Sequence, residues 1–293
     1  MKLEPECIGC IFNQVLKAFE LLDPEISHDI IIAAQKKLME FLVKFDVKTD
    51  ASPILGKIAY GIVSEMLDDP DPYLALKQES NKLSLELIGE IKNLVDNAVD
   101  PLFEAIVVAA LGNTIDFASQ HKFDLISDIE NFNPEDLVIN DYDNFKRSLE
   151  DFNHLMILGD NAGEIVFDKL LIQVIKQFYP DLEIVYSVRS APIINDATIE
   201  DARFISLTEL VHVIESSPTP GIDLSTSTKE FKDHFFKKGV ILSKGQGNFE
   251  SLYRIEIPNK DVYYLLKAKC NLMERIFDVR MGDLIFKKKT LDF

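Results

Sequence analysis

Four apolar segments of the sequence run straight into residues able to do chemistry. HLMIL leads into Gly159-Asp160-Asn161-Ala162-Gly163-Glu164, LEIVYSVR into Ser190 through Asn195-Asp196, VHVIE into Ser216-Ser217, and VILS into Lys244-Gly245-Gln246-Gly247-Asn248. Asp160 and Asn161 offer a carboxylate and an amide carbonyl, hard oxygen donors that suit Mg²⁺, Mn²⁺ or a similar divalent ion and suit soft metals poorly. Asn195-Asp196 brings a second carboxylate to the end of the next apolar segment. Gly163 and Glu164 open a helical pattern whose first N–H groups can receive an anion. Lys244, in the glycine-bearing SKGQGNFE, can reach a phosphate as a point charge, and Lys267 and Lys269 in YYLLKAKC stand in a similar position. Asn113 and Asp116 of LGNTIDFA lie on one face of a helix. Each of these also has a structural reading. Asp160-Asn161 can be a turn and cap, Asp196 an N-cap before Ala197-Thr198-Ile199-Glu200, Lys244 a solvated turn residue, and Asn113 with Asp116 a helix-end cap.

Such residues act together only if the chain brings them to one place. Between residues 24 and 118 the apolar residues recur three and four apart, as in DIIIAAQKKLMEFLVKF and PLFEAIVVAALGNTIDFA, with Asp-Pro breaks at helix starts. After about residue 135 short apolar runs alternate with helical patterns, which implies parallel pairing with helices on both faces. The expected fold is α/β: a three-layer α/β/α, doubly wound, mostly parallel sheet with an all-helical N-terminal region. A boundary near 130 divides a mostly helical part, 1–130, from a sheet domain, 131–293. In such a sheet ligands bind beyond the carboxyl ends of the strands, where the four polar segments fall.

Composition narrows the partners. Asp and Glu number 49 against 31 Lys and Arg, and the net charge of −18 repels nucleic-acid backbones and anionic lipid, so neither nucleic acid nor membrane is an expected partner. An anionic substrate then requires a locally positive site, supplied by a divalent cation and a few lysines. No apolar run is long enough to span a bilayer and the N-terminus lacks a secretory core, so a cytoplasmic location is expected. Cys7, Cys10 and Cys270 cannot form a disulfide framework. A redox pair, a three-thiol metal site and buried apolar cysteines all stay open. The five histidines, His28, His121, His154, His212 and His234, show no paired ligand spacing. No oligomeric state is implied.

The motifs taken in order resemble one known family over nearly the whole chain: ECIGC, DPYLALKQESN, AALGNTIDFA, GDNAGEIVFD, APIINDATIEDA, SKGQGNFESL and LLKAKC. They are similar to the damage-control phosphatases, formerly a domain of unknown function related to acidic-residue methyltransferase-like proteins. The N-terminal CxxC looks like that of the stand-alone microbial subfamily. The resemblance implies a helical region on a three-layer α/β domain and hydrolysis of small phosphomonoester metabolites, such as sugar phosphates or damaged nucleotides. It also implies a Mn²⁺, Co²⁺, Ni²⁺ or Mg²⁺ cofactor held by Asp160, Asn161 and Asp196. On this reading Asp160, Asp196 and Lys244 are catalytic, and Gly163, Glu164, Lys244, Asn113, Asp116 and Lys267 contact substrate. Either Asp160 attacks phosphorus to form an aspartyl phosphate or a water does. The alternatives are an adenosylmethionine-dependent carboxyl methyltransferase and a non-catalytic metal or nucleotide sensor.

Overall fold

Proline and polar caps punctuate the helical part. Pro5 stands in the first turn of α1 (Pro5–Leu22), where its missing N–H costs no hydrogen bond, and the Ser27 hydroxyl accepts from the Asp29 N–H at the start of α2 (His28–Leu42). After α3 (Ser52–Met66) and α4 (Leu74–Asn97), the Asp100 carboxylate accepts from the Phe103 N–H and starts α5 (Pro101–Gly112). α6 (Lys122–Glu130) completes this part. The structure, a computed structural model, describes residues 3–45, 52–112 and 122–290. Asn113 and Asp116 lie outside the described residues.

Seven strands follow, interleaved with helices: β1 (Leu137–Asn140), α7 (Tyr142–Asp151), β2 (His154–Leu158), α8 (Glu164–Phe178), β3 (Glu183–Val188), α9 (Ile199–Phe204), β4 (His212–Glu215), α10 (Lys229–Phe236), β5 (Gly239–Lys244), α11 (Gly245–Leu252), β6 (Lys260–Lys267), α12 (Asn271–Phe277) and β7 (Leu284–Lys288). They form one sheet in the order β1-β7-β6-β5-β2-β3-β4. All neighbours pair in parallel except β6 and β7, which are antiparallel. The expected mixed, mostly parallel three-layer sheet is thus present. β7 is an addition that the apolar runs did not announce. β2 and β5 are buried along their whole lengths, as strands covered on both faces must be.

The chain runs outward from β2 to β3 and β4, then returns to place β5 on the other side of β2. The carboxyl ends of β2 and β5 therefore flank a topological switch point, where loops diverge and leave a crevice. α4, α5, α7 and α8 bury their apolar stripes against one face of the sheet, while α10, α11 and α12 cover the other. The helices α1 to α3 form a separate apolar cluster of their own. The apolar packing groups α5, α6 and the C-terminal half of α4 with the sheet layer, and α1 to α3 with one another. α5 is apolar and buried along most of its length, and α4 adds Ile91 and Val95 to the core that α8 shares. No described helix is long and apolar enough to cross a membrane.

Candidate functional site

Asp160 and Asn161 follow β2, and Asp196 lies in the loop after β3. Backbone pairing fixes these two loops against each other. The Ala197 N–H donates to the Asp160 carbonyl (2.8 Å), the Ala162 N–H donates to the Asn195 carbonyl (2.9 Å), and Asn161 and Asp196 form an antiparallel bridge. Two oxygen-bearing segments that start from different strands thereby become one rigid platform. The platform faces a cleft of about 560 Å³, walled by α1 and α3 on one side and by α11 and the segment after β6 on the other.

The carboxylates are organised by a residue the sequence reading passed over. Arg189, one residue beyond β3, is 2 % exposed. Its Nε donates to Asp196 Oδ2 (2.6 Å) and its Nη2 lies 3.5 Å from Asp160 Oδ1. Its Nη1 donates to Asn248 Oδ1 (2.8 Å) and to the Gly221 carbonyl (3.3 Å). Asn248 in turn donates to the carbonyls of Gly159 (3.0 Å) and Lys244 (2.8 Å), tying the ends of β2 and β5 together. A charged side chain at the end of an apolar run was the available signal, since an unpaired buried arginine is prohibitively costly. Burial pushes the Asp196 carboxyl up, Arg189 pulls it back down, and the neighbouring Asp160 pushes it up again, leaving it above the usual carboxylate range.

Gly245 shows how closely the platform is packed. Its φ of +75° is in the left-handed region, and a Cβ there would lie 1.9 Å from Asp160 Oδ2. Any side chain would push the Asp160 carboxylate out of place. Gly159 likewise makes room for the Tyr186 hydroxyl, which a Cβ would meet at 2.3 Å.

Lys244 does not line the cleft, contrary to the expectation that it reaches phosphate. It is fully buried, with Nζ donating to Glu164 Oε1 (2.5 Å), Asp168 Oδ1 (2.6 Å) and the Ala109 carbonyl (3.0 Å). The cause is strand alternation: Val240 and Leu242 face the core shared with α5 and α8, so Lys244 faces it as well. Within SKGQGNFE, α11 begins at Gly245, directly after β5. Glu164, expected to touch substrate, is 1 % exposed within the same ion cluster, where burial pushes its carboxyl up against the downward pull of Lys244. The Gly163 N–H, expected to receive an anion, donates to Asn81 Oδ1 (2.7 Å). Asn81, buried on α4, also donates to Asp201 Oδ1 (2.8 Å), which joins the starts of α8 and α9. Lys267 pairs with Leu284 inside the sheet and is not at the cleft. Lys269, two residues on, is at the cleft and is exposed.

Cys7 and Cys10, in the first turns of α1, and Cys270 all border the cleft as free thiols. Burial pushes the Cys7 thiol up, away from the reactive thiolate state. The four carboxylates on the cleft wall are Glu6, Asp160, Asp196 and Glu250, and Lys269 is the only lysine or arginine among the described residues there. The cleft is therefore acidic, and the expected cluster of lysines around an anion is absent from its described wall. Asp160, Asn161 and Asp196 form an all-oxygen donor set with more negative charge than one guanidinium balances, and such a set fits a hard divalent cation.

The fold and the cleft define a class: a doubly wound α/β protein with an acidic, oxygen-donor platform at its switch point. The chain belongs to the damage-control phosphatase ARMT1-like domain family, whose model matches residues 3–285. It is 32 % identical to an uncharacterized protein of Methanocaldococcus jannaschii over 297 residues, covering 99 % of this chain and 96 % of that one. It is 31 % identical to a damage-control phosphatase of Pyrococcus horikoshii, with 97 % of each chain covered. The crystal structure of a DUF89 family protein from P. horikoshii superposes with a TM-score of 0.86 at 28 % identity, over 99 % of this chain and 100 % of that one.

Proposed function

We propose that the chain is a metal-dependent phosphatase acting on small phosphomonoester metabolites. The observation that carries this reading is the acidity of the cleft beside its oxygen-donor platform. A phosphate monoester would be repelled there unless a cation stood between it and Asp160 and Asp196. Asp160, Asn161 and Asp196 would hold that cation, which would neutralise charge on the phosphoryl oxygens and act as a Lewis acid. Arg189 keeps both carboxylates aimed into the cleft and, being buried, acts on substrate only through them. Lys269 and Gln246 stand at the wall where oxygens of the phosphate or of its organic group would lie. The cleft volume suits a sugar phosphate or a nucleotide, and the damage-control names of the relatives agree with such metabolites.

The reading is tested by phosphate release from a panel of sugar phosphates and nucleotides, with protein stripped by chelator and then resupplied with Mn²⁺, Co²⁺, Ni²⁺ or Mg²⁺. Activity is expected to vanish on stripping and to return with metal. Full activity after stripping, or none on any phosphomonoester, would refute it.

A further inference from the structure

At the amino edge of the sheet, opposite the cleft, the fold assembles histidines that no sequence spacing paired. His154 is the first residue of β2 and is directly paired with Glu183, the first residue of β3. His234, in the last turn of α10, reaches the same place: His154 Nε2 and His234 Nδ1 are 3.2 Å apart. One ligand atom from each of His154, Glu183 and His234 lies within 4.8 Å of the others. We propose that this cluster is a second metal site, binding Zn²⁺ or a similar borderline transition metal through two imidazole nitrogens and a carboxylate.

The geometry and the donor chemistry agree. Two imidazole nitrogens that share a tetrahedral ion at about 2.0–2.1 Å are roughly 3.3 Å apart, close to the observed separation. Nitrogen donors select zinc-like ions over Mg²⁺ or Ca²⁺, which distinguishes this cluster from the all-oxygen platform of the cleft. A ligand imidazole must be neutral. Binding would replace the N–H···N hydrogen bond that now joins the two rings, each ring turning its lone pair to the ion and its proton to its other nitrogen. His154 itself is buried, while His234 is half-buried and Glu183 exposed, so the cluster opens to solvent on one side. His212 stacks at a tilt near His234 and is engaged with Glu230 (2.8 Å).

Two lysines compete with a metal here. Lys237 donates to Glu183. Lys260, the first residue of β6, is half-buried beside His154, and its Nζ is covered without a hydrogen-bond partner among the described residues. A bound ion would displace Lys237 from Glu183 and take over its charge. Removing Lys237 should therefore strengthen the site, an outcome that a merely structural histidine pair would not produce.

The test is calorimetric titration of chelator-stripped full-length protein with Zn²⁺. Asp160→Asn/Asp196→Asn protein, in which the cleft platform is disabled, is expected to keep one zinc equivalent. In that background His234→Ala should weaken zinc binding at least tenfold, Glu183→Gln should do the same from an exposed position, and Lys237→Ala should tighten it several-fold. Zinc should also raise the melting temperature of the Asp160→Asn/Asp196→Asn protein and not that of its His234→Ala derivative. Absence of zinc binding in the Asp160→Asn/Asp196→Asn protein, or an affinity unmoved by both His234→Ala and Glu183→Gln, would overturn the proposal. Neither result would bear on the cleft.

Discussion

Two clusters at the carboxyl edge of the sheet have the same composition, one cation with two carboxylates, and opposite fates. Arg189 holds Asp196 and Asp160, and Lys244 holds Glu164 and Asp168. The Asp160 side chain keeps 11 % of its exposure and borders the cleft, whereas Glu164 and Asp168 keep 1 %. In the open cluster the carboxylates retain a side turned to solvent, where a ligand can arrive. In the sealed cluster every contact is internal: Lys244 fastens the end of β5 to α8 and α5, and Tyr186 completes the set by donating to Asp168 (2.7 Å). The cations suit these tasks. The planar fork of arginine serves two carboxylates, an amide and a carbonyl at once, while the ammonium of lysine is a compact point charge for three acceptors. Composition alone therefore does not mark a site; access to solvent does.

The contrast can be broken most directly at Lys244. Lys244→Met would leave two buried carboxylates without their cation and should cost about 3–5 kcal/mol in urea unfolding. Adding Glu164→Gln and Asp168→Asn should recover a large part of that loss, and the folded fraction should keep its activity. A stable Lys244→Met protein with no activity would place Lys244 in the chemistry and end the contrast. At the open cluster, Asp196→Asn should reduce turnover about 10²–10³-fold, comparable to losing a principal electrostatic group, while moving the melting temperature by only a few degrees.

Alkaline titration sharpens the difference. Burial works to lower the Lys244 pKa, but Asp168 and Glu164 outweigh it and hold the ammonium above its usual range, so the stability it contributes is complete below the ordinary lysine pKa and is lost as the pH rises through the raised one. Buried phenols begin to cost stability slightly earlier, once the tyrosines of the unfolded chain ionise. Burial pushes Tyr73 from 10 up to about 12, so its contribution is complete below pH 10 and disappears as the pH rises through about 12. The amount at stake is roughly 2–3 kcal/mol, and Tyr73→Phe should flatten the alkaline limb of a stability–pH curve. Lys244→Met should flatten the limb at higher pH still, and a limb unchanged by that variant would mean that the ammonium is not held above its usual range. The smallest effect is expected from Gly245→Ala, which strains a positive φ and crowds Asp160. About 1–2 kcal/mol of stability and roughly tenfold in turnover should be lost, with the melting curve and the rate read on the same preparation.

How much of this was legible from sequence depends on distance along the chain. Asp160, Asn161 and Asp196 sit within a few residues of strand ends, and in a parallel sheet every strand end delivers its loop to the same edge, so pattern alone placed them together. The layered fold followed from the same alternation of short apolar runs and helical periods. Lys244 also sits at a strand end, but strand side chains alternate between two faces, and which face becomes core is set by where α5 and α8 pack. The partners of Arg189, among them Asn248 fifty-nine residues away, and of Asn81, which meets Gly163 from another helix, belong to no local pattern. The histidine cluster is the extreme case, joining positions 154, 183 and 234 through strand register and a helix docking. Sequence determined the residues presented at the carboxyl edge, because that is a property of each strand and its following turn. Only the tertiary structure decided which of them face solvent, because burial is a property of the packing between layers.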